Sequence, residues 1–212
     1  MTQHVLITGG SQGAGRATAL KFARSGWDVT IAARKRDRLQ AVAEQIEATG
    51  QKALAVPTDI GVEAQVNALV EQSLETFGKI DALINNAGIC LTGSTLHTRT
   101  EDWQRLFDTN LWGCIYTIQA VLPKMLEQDE GSIINVGSIG GKMPLPAMTA
   151  YCASKYALTG LTESLRLELA STNVHLGMVH PGVINSDFME RAAFRGATAA
   201  EAESQRQQME QA

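Results

Sequence analysis

The sequence lacks the features that mark membrane-spanning, secreted and nucleic-acid-binding proteins. No apolar stretch is longer than a strand, whereas a membrane-spanning helix needs about 20 apolar residues. The N-terminus does not carry the charged and apolar regions of a secretory signal. The formal net charge is only −4, which provides no basic footprint for nucleic acid or an anionic membrane. The composition therefore predicts a cytoplasmic protein that binds neither nucleic acid nor membrane.

Cysteine and histidine are also scarce. The three cysteines, Cys90, Cys114 and Cys152, are odd in number and lack metal-ligand spacing, which predicts reduced and mostly buried thiols. Cys152 is adjacent to Tyr151 but has no evident base, so a packing role is favoured over a catalytic one. The four histidines are scattered along the chain, and no metal site is predicted.

The chain does contain a regular alternation of strand-like and helical segments. Apolar runs of strand length lie near residues 4–8, 28–33, 52–56, 80–85, 131–137 and 173–179. Helical periodicity lies near residues 13–25, 36–49, 62–77, 102–127 and 150–171. This alternation predicts an α/β fold: a Rossmann-type, doubly wound parallel sheet with helices on both faces. No linker or repeat divides the chain, so residues 1–212 are predicted to form a single domain.

A glycine-rich turn follows the first strand-like run. Thr8-Gly-Gly-Ser-Gln-Gly-Ala-Gly15 lies between the apolar run that begins at Val5 and a helical segment. Glycines permit a tight turn and let the backbone approach a pyrophosphate, which then sits at the helix N-terminus. A flexible surface turn is the alternative. The flanking strand and helix favour a nucleotide-binding unit instead.

Polar residues follow three other apolar runs. Asn85-Asn-Ala-Gly88, Gly137-Ser138 and His180-Pro-Gly182 each begin where a predicted strand ends. Any one of them could be an ordinary loop. In an open parallel sheet, however, ligands bind outside the carboxyl ends of the strands. We therefore expect these residues to line the same crevice as the glycine turn.

Tyr151 and Lys155 are four residues apart at the start of the last strongly periodic helix, so both side chains project from one helical face. A phenol titrates near pH ~10 and is a poor proton donor or acceptor at neutral pH. An ammonium one turn away is expected to favour the phenolate and lower the pKa of Tyr151. A Tyr–Lys pair at this spacing is more often just a helix surface. The glycine turn and the polar strand ends favour chemistry here.

Taken together, these motifs resemble the short-chain dehydrogenase/reductase family over nearly the whole chain. The resemblance implies a catalytic tetrad in which Tyr151 is the proton donor, Lys155 lowers its pKa and holds the nicotinamide ribose, Ser138 binds the substrate oxygen and Asn110 holds a water of a proton relay. Within the family, the chain resembles the 3-oxoacyl-reductase-like subgroup.

The family resemblance also implies a set of cofactor-binding residues: Gly9, Ser11, Gln12, Gly13, Ala14, Gly15, Arg34, Asp59, Ile60, Asn86, Ala87, Gly88, Tyr151, Lys155, Pro181, Gly182, Ile184 and Ser186.

The residues after the second predicted strand indicate which cofactor is used. An acid there would hydrogen-bond the ribose 2′-hydroxyl of NAD, but the chain has Ala33 followed by the basic run Arg34-Lys-Arg-Asp-Arg38. These cations surround a helix start, where the helix dipole disfavours them, and a 2′-phosphate would neutralise the cluster. In the family, an arginine at the position of Arg34 marks NADP preference. For the basic run, the alternative is a solvated helix start with no role in binding. For Asp59, the alternative to a cofactor contact is an ordinary helix N-cap.

Residues 186–212 are expected to form the substrate loop and a weakly packed final helix, which a capping box at Thr198 opens. Relatives continue into a seventh parallel strand, so the chain resembles a truncated member. The predicted function is NADP(H)-dependent hydride transfer between nicotinamide and a carbonyl or secondary alcohol. A non-catalytic NADP(H)-binding redox sensor is the alternative. Relatives pair the helices near 102–127 and 150–171 across a two-fold axis, so a homodimer or homotetramer is expected.

Overall fold

Six parallel strands form the central sheet. The computed structural model describes residues 2–182 and 192–210. In chain order the strands are β1 His4–Thr8, β2 Asp28–Ala33, β3 Ala53–Pro57, β4 Ala82–Asn85, β6 Gly131–Val136 and β7 Val174–Val179. They lie in the order β3-β2-β1-β4-β6-β7, and every neighbouring pair is parallel. The strand order reverses beside β1, which creates the crevice in which such sheets bind ligands.

Helices cover both faces of this sheet, as the alternation of the sequence predicts. They are α1 Gly13–Arg24, α2 Arg36–Glu47, α3 Glu63–Phe77, α4 Thr100–Phe107, α5 Gly113–Gln128, α6 Thr149–Glu168 and α7 Ala199–Glu210. Successive residues of β1 belong to different cores: Leu6 packs on the face with α3 and α5, while Val5 and Ile7 pack on the face with α1 and α2. The doubly wound Rossmann-type fold is therefore confirmed. Among the described residues, no helix is long and apolar enough to cross a membrane.

The sequence predicted one helix near residues 102–127, but the structure has two helices with a turn between them. The structure ends α4 at Phe107 and inserts a π-helical turn, Asp108–Trp112, before α5 begins. A π-turn adds a residue to the helical repeat and rotates the side chains at that point, which often happens at functional sites. Asn110 lies within this turn and is fully buried. Apolar periodicity did not reveal the turn because the helical pattern resumes on both sides of it.

A second, two-stranded sheet was not predicted at all. Its strands are β5 Leu91–Gly93 and β8 Ala193–Arg195, and they pair in parallel. Ala193–Arg195 are therefore held by strand pairing, although the sequence predicted no strand in that region. One half of the predicted capping box is present, since the Glu201 amide donates to Thr198 Oγ1 at 3.2 Å. The Glu201 carboxylate accepts from the Ala197 amide at 2.8 Å, one residue before the predicted position. Strands of three residues are too short for sequence periodicity to detect.

Candidate active site

The glycine turn is braced from the neighbouring strand. Gly9 has a φ of +68°, in the left-handed region that favours glycine. The Asn86 amide donates to the carbonyls of Thr8 at 3.0 Å and Gly9 at 3.2 Å. A methyl group at Gly15 would collide with the Gly9 carbonyl oxygen. Asn86 was predicted to touch the cofactor, but its side chain is used to hold the turn in shape.

A cleft of about 370 Å³ opens beside this turn, at the carboxyl ends of β1 to β4. Eight of the predicted cofactor-binding residues line it: Gly9, Ser11, Gln12, Arg34, Asp59, Ile60, Ala87 and Gly88. Lys35 and Arg38, from the predicted basic run, line it too. Sequence reasoning did not assign to the site four other lining residues, namely Thr58, Ile89, Arg105 and Thr109. The structure therefore gathers residues from four strand ends into one cavity of a size suited to a small-molecule ligand.

The remaining predicted cofactor residues lie around the cleft or beyond it. Gly13, Ala14 and Gly15 begin α1 behind the turn. The Pro181 carbonyl accepts from the Ile139 amide at 2.8 Å, and this bond places the Pro181-Gly182 segment beside Ser138. Ile184 and Ser186 lie outside the described residues.

Positive charge dominates the cleft. Among the described lining residues, Arg34, Lys35, Arg38 and Arg105 are cationic, whereas Asp59 is the one carboxylate. The Asp59 carboxylate already accepts the Gly61 amide at 3.0 Å. Arg105 comes from α4, so the cations lie on more than one wall. Such a cleft favours an anionic ligand.

Asn110 is locked in place by its neighbours. Its Oδ1 accepts the Ile89 amide at 2.9 Å, and its Nδ2 donates to the Ile89 carbonyl at 2.9 Å and to Ser154 Oγ at 3.1 Å. Ser154 Oγ donates in turn to the Tyr151 carbonyl at 2.7 Å. The π-turn is thus joined both to the segment after β4 and to the helix that carries Tyr151.

Lys155 lies next to Asn110 across Gly88. A methyl group at Gly88 would be 3.4 Å from Asn110 Oδ1 and 3.6 Å from Lys155 Nζ. The ammonium is buried and donates to the Val136 carbonyl at 3.0 Å. Burial lowers the pKa of Lys155, because it disfavours the charged form.

Tyr151 is hydrogen-bonded to Ser138 and is 5% exposed. Burial raises the pKa of Tyr151 to about 12, and the hydrogen bond with Ser138 offsets only part of that effect. Burial is therefore the dominant influence on the pKa of Tyr151 in this structure, which the spacing of Tyr151 and Lys155 could not reveal. The lowering of this pKa by Lys155 stays a prediction.

A buried polar network supports the floor of the site. Asn85 Nδ2 donates to Asn135 Oδ1 at 3.0 Å, Thr117 Oγ1 donates to Asn85 Oδ1 at 2.7 Å, and Asn135 Nδ2 donates to Thr162 Oγ1 at 2.9 Å. These bonds connect β4 and β6 to α5 and α6. They satisfy side chains that would otherwise be costly to bury, and they fix the strand ends that precede Asn86 and Ser138.

The short sheet forms a second wall, which packs beside Tyr151. Arg195 of β8 donates to both oxygens of Asp102 in α4, at 2.8 and 2.5 Å. Asp102 is 7% exposed, and the bonds from Arg195 hold the pKa of its carboxyl below the usual value. An apolar cluster beside this pair contains Leu91, Met148 and Tyr151, with Ala193 packed against it. The wall therefore brings an apolar surface to the tyrosine.

Comparison with known proteins agrees with this geometry. The sequence model of the short-chain dehydrogenase family matches residues 3–195. A similar curated relative is the 3-oxoacyl-(acyl-carrier-protein) reductase FabG of Staphylococcus epidermidis, which is 37% identical over 188 residues, covering 88% of this chain and 77% of the relative.

Solved structures of relatives have the same fold. A short-chain dehydrogenase/reductase from Burkholderia phymatum in complex with NAD superposes with a TM-score of 0.87 at 33% identity, covering 90% of this chain and 69% of the other. ElxO with NADP bound superposes with a TM-score of 0.84 at 30% identity, covering 90% and 77%. The fold, the crevice and these matches together show that the chain belongs to the short-chain dehydrogenase/reductase family of oxidoreductases that use a nicotinamide cofactor.

Proposed function

We propose that the protein is an NADP(H)-dependent reductase of a carbonyl compound, or catalyses the reverse oxidation of a secondary alcohol. The observation that carries the choice of NADP(H) is the cationic rim of the cleft, where Arg34, Lys35 and Arg38 surround the end of β2 and Ala33 takes the place of an acid. An adenosine 2′-phosphate would neutralise these cations. The 2′-hydroxyl of NAD would find no acid beside β2 to accept its hydrogen bond.

The residues of the cleft fit a dinucleotide. The glycine turn at the start of α1 presents backbone amides to a pyrophosphate, and the cavity extends from Gly9 to Gly88, next to the buried Lys155. A nicotinamide cofactor supplies the hydride, while the protein supplies binding and orientation. Residues lining the cleft would hold the adenosine half, and Lys155 would hold the ribose nearer the reacting carbon.

Tyr151 is proposed as the proton donor to the oxygen of the carbonyl being reduced. At neutral pH the phenol is protonated and so carries the proton that the reduced oxygen needs. The raised pKa of Tyr151 makes it a weak acid in the free protein, so efficient transfer requires the pKa to fall when cofactor and substrate bind. Ser138 would orient both Tyr151 and the substrate oxygen. Asn110 would hold the π-turn in position and so fix Gly88 beside Lys155.

The substrate is proposed to be a small carbonyl compound with an apolar portion. Leu91 and Leu145 belong to the apolar cluster at Tyr151 and support this choice. Leu96 and Met143 are 85% and 49% exposed and lie outside that cluster. The similarity to a 3-oxoacyl-thioester reductase makes such a thioester the first compound to test.

We further propose a homo-oligomer that forms through α5 and α6, located in the cytoplasm. Trp112 and Tyr156 are each 45% exposed, and Trp112 stacks on Tyr116 with ring centroids 5.9 Å apart. Exposed aromatic surface of this kind often marks an interface. The three cysteines are free and buried, as a reducing compartment allows. A monomer mass by light scattering at micromolar concentration would contradict the oligomer.

The experiment that tests the function follows NADPH absorbance with a panel of ketones, aldehydes and 3-oxoacyl thioesters. We expect turnover with at least one member of the panel. NADPH binding without turnover on any carbonyl would instead favour the non-catalytic redox sensor. Absence of NADPH binding would contradict both functions.

A further inference from the structure

We propose that His180 is a positioning residue for Ser138: its imidazole holds the Ser138 carbonyl, so that the hydroxyl of the same serine faces Tyr151 and the substrate oxygen. This inference rests on the proposed function, in which Ser138 orients the reacting oxygen. The role belongs to the side chain of His180 and not to the Pro181-Gly182 segment that follows it.

The partner of His180 determines the tautomer of its neutral ring. His180 Nδ1 lies 3.1 Å from the Ser138 carbonyl oxygen. A carbonyl can only accept hydrogen bonds, so Nδ1 must carry a proton and act as the donor. A methyl group at Gly137 would lie 3.0 Å from this nitrogen, so the ring packs closely against the glycine that precedes Ser138. The imidazole is thus held against the segment that carries the serine.

The peptide group between Ser138 and Ile139 is held at both of its polar atoms. His180 Nδ1 donates to its carbonyl oxygen, and its amide, which belongs to Ile139, donates to the Pro181 carbonyl at 2.8 Å. The carbonyl and the amide of a trans peptide point in opposite directions, so these two bonds restrict rotation of the planar group. Because the Ser138 side chain projects from the backbone next to this plane, its direction is restricted as well.

The Ser138 carbonyl does not need His180 to satisfy its hydrogen bonding. The Gly141 amide donates to the same oxygen at 2.9 Å, within the short turn Ile139–Gly141. A carbonyl oxygen has two lone pairs, so the bond from His180 is additional to the one that the turn supplies. The His180 side chain therefore contributes to the geometry of Ser138 more than to the satisfaction of a buried group.

The Ser138 hydroxyl is the group that this geometry serves. Its Oγ accepts the Gly140 amide at 3.1 Å. Burial raises the pKa of Tyr151 to about 12, and the hydrogen bond with Ser138 acts in the opposite direction. A bond that lowers the pKa of a phenol favours its anion, so the Ser138 hydroxyl is the donor in that bond. Rotation of the peptide after Ser138 would turn this donor away from the tyrosine oxygen.

Steady-state kinetics of His180→Phe and His180→Asn, with a carbonyl substrate from the panel, test this role. Phenylalanine keeps a ring against Gly137 but removes the donor, whereas asparagine keeps a donor on a side chain of similar reach. We expect kcat of His180→Phe to fall about three- to tenfold with little change in KM, since loss of one neutral hydrogen bond has about this effect. His180→Asn should recover most of the lost kcat. His175→Phe, at an exposed histidine of β7, is the control and should keep its kcat.

Nitrogen NMR of the imidazole rings tests the hydrogen bond without any turnover. The measurement uses the wild type at a pH where the ring is neutral, and the His180 signal is identified by its loss in either variant. We expect the proton to be on Nδ1. A neutral ring with its proton on Nε2 would overturn the inference, because such a ring cannot donate from Nδ1 to the Ser138 carbonyl.

The outcomes separate this inference from the proposed function. An unchanged kcat in His180→Phe, or no recovery in His180→Asn, would overturn the positioning role. A parallel fall in NADPH affinity would assign the effect to the Pro181-Gly182 segment and would also overturn it. A wild type without turnover on any carbonyl would overturn the proposed function, while the NMR signal still decides whether His180 holds Ser138. Thermal unfolding of both variants verifies that the fold is retained.

Discussion

The cofactor cleft and the short sheet use their cations differently. The cleft carries cations that form no ion pair among the described residues, whereas the short sheet pairs its arginine with a carboxylate. Arg34 and Lys35 line the cleft without an ion-pair partner among the described residues. Arg195, in the short sheet, holds the buried Asp102 with two hydrogen bonds. Cations without an ion-pair partner in a cleft favour binding of an anionic ligand. An arginine that donates to both oxygens of a carboxylate instead fixes one segment of the chain to another. Arginine thus indicates ligand binding in the cleft and a structural contact in the short sheet.

The largest expected effect is the loss of turnover when Tyr151 is replaced. Tyr151→Phe removes the proposed proton donor but keeps the ring, so turnover should fall roughly 10²–10⁴-fold. NADPH affinity should change little, because the phenol does not line the cofactor cleft. Tyr156→Phe, at a half-exposed tyrosine on the same helix, is the control and should keep its activity. Retention of more than a few per cent of turnover in Tyr151→Phe would show that another group supplies the proton.

A change of charge on the cofactor wall should have the next largest effect. Arg34→Asp supplies an acid at the end of β2, which repels a 2′-phosphate and can hold a ribose hydroxyl. We expect NADPH affinity to fall by the equivalent of about 1–3 kcal/mol, while NADH is relatively favoured. Arg36→Asp makes the same charge change away from the cleft and should leave the preference nearly intact. Equal NADPH affinity in wild type and Arg34→Asp would exclude Arg34 as the phosphate contact.

In the short sheet, Arg195→Met should weaken the attachment of β8 to the rest of the protein. The variant leaves the Asp102 carboxylate largely buried without its main partner, at a local cost of about 1–3 kcal/mol. Amides of residues 193–195 should lose protection in hydrogen exchange, and KM should rise more than kcat falls. Arg99→Met is the control, because Arg99 is 69% exposed in its side chain and its Nε lies 3.7 Å from Asp102. Unchanged protection at 193–195 would mean that strand pairing alone holds this wall.

The smallest effect should come from a histidine far from either wall. His4 is buried, its Nδ1 donates to the Lys79 carbonyl at 2.6 Å, and Thr30 Oγ1 donates to its Nε2 at 2.9 Å. Burial lowers the pKa of His4 below 6.5, so the unfolded chain binds more protons between that lowered value and about pH 6.5.

Stability contributed by His4 is therefore complete above about pH 6.5 and is lost as pH falls below that value. Urea unfolding of wild type and His4→Gln at pH 7.5 and 5.5 measures the difference, with exposed His175→Gln as the control. We expect the wild type to lose more stability than His4→Gln between the two pH values. Parallel losses would assign the pH dependence to other groups.

Sequence analysis succeeded where function depends on local pattern. The glycine turn and the polar strand ends each occupy one short stretch, and the structure places the turn with Ala87 and Gly88 in one cleft. Ser138 and the Pro181-Gly182 segment lie next to each other but do not line that cleft. The predictions that failed depended on contacts between distant residues or on burial. The β5–β8 pairing and the Asp102–Arg195 bond connect positions about a hundred apart, and no local period encodes them. The raised pKa of Tyr151 likewise reflects how deeply the phenol is buried.

The most direct test of the account is a titration of the wild-type protein with NADPH and with NADH under the same conditions. The account predicts that NADPH binds at least about tenfold more tightly, because Arg34 and Lys35 have no ion-pair partner among the described residues and a 2′-phosphate would supply one. The preference should shrink as salt concentration rises, since exposed charges are screened. Equal affinity for the two cofactors, or tighter binding of NADH, would contradict the central claim.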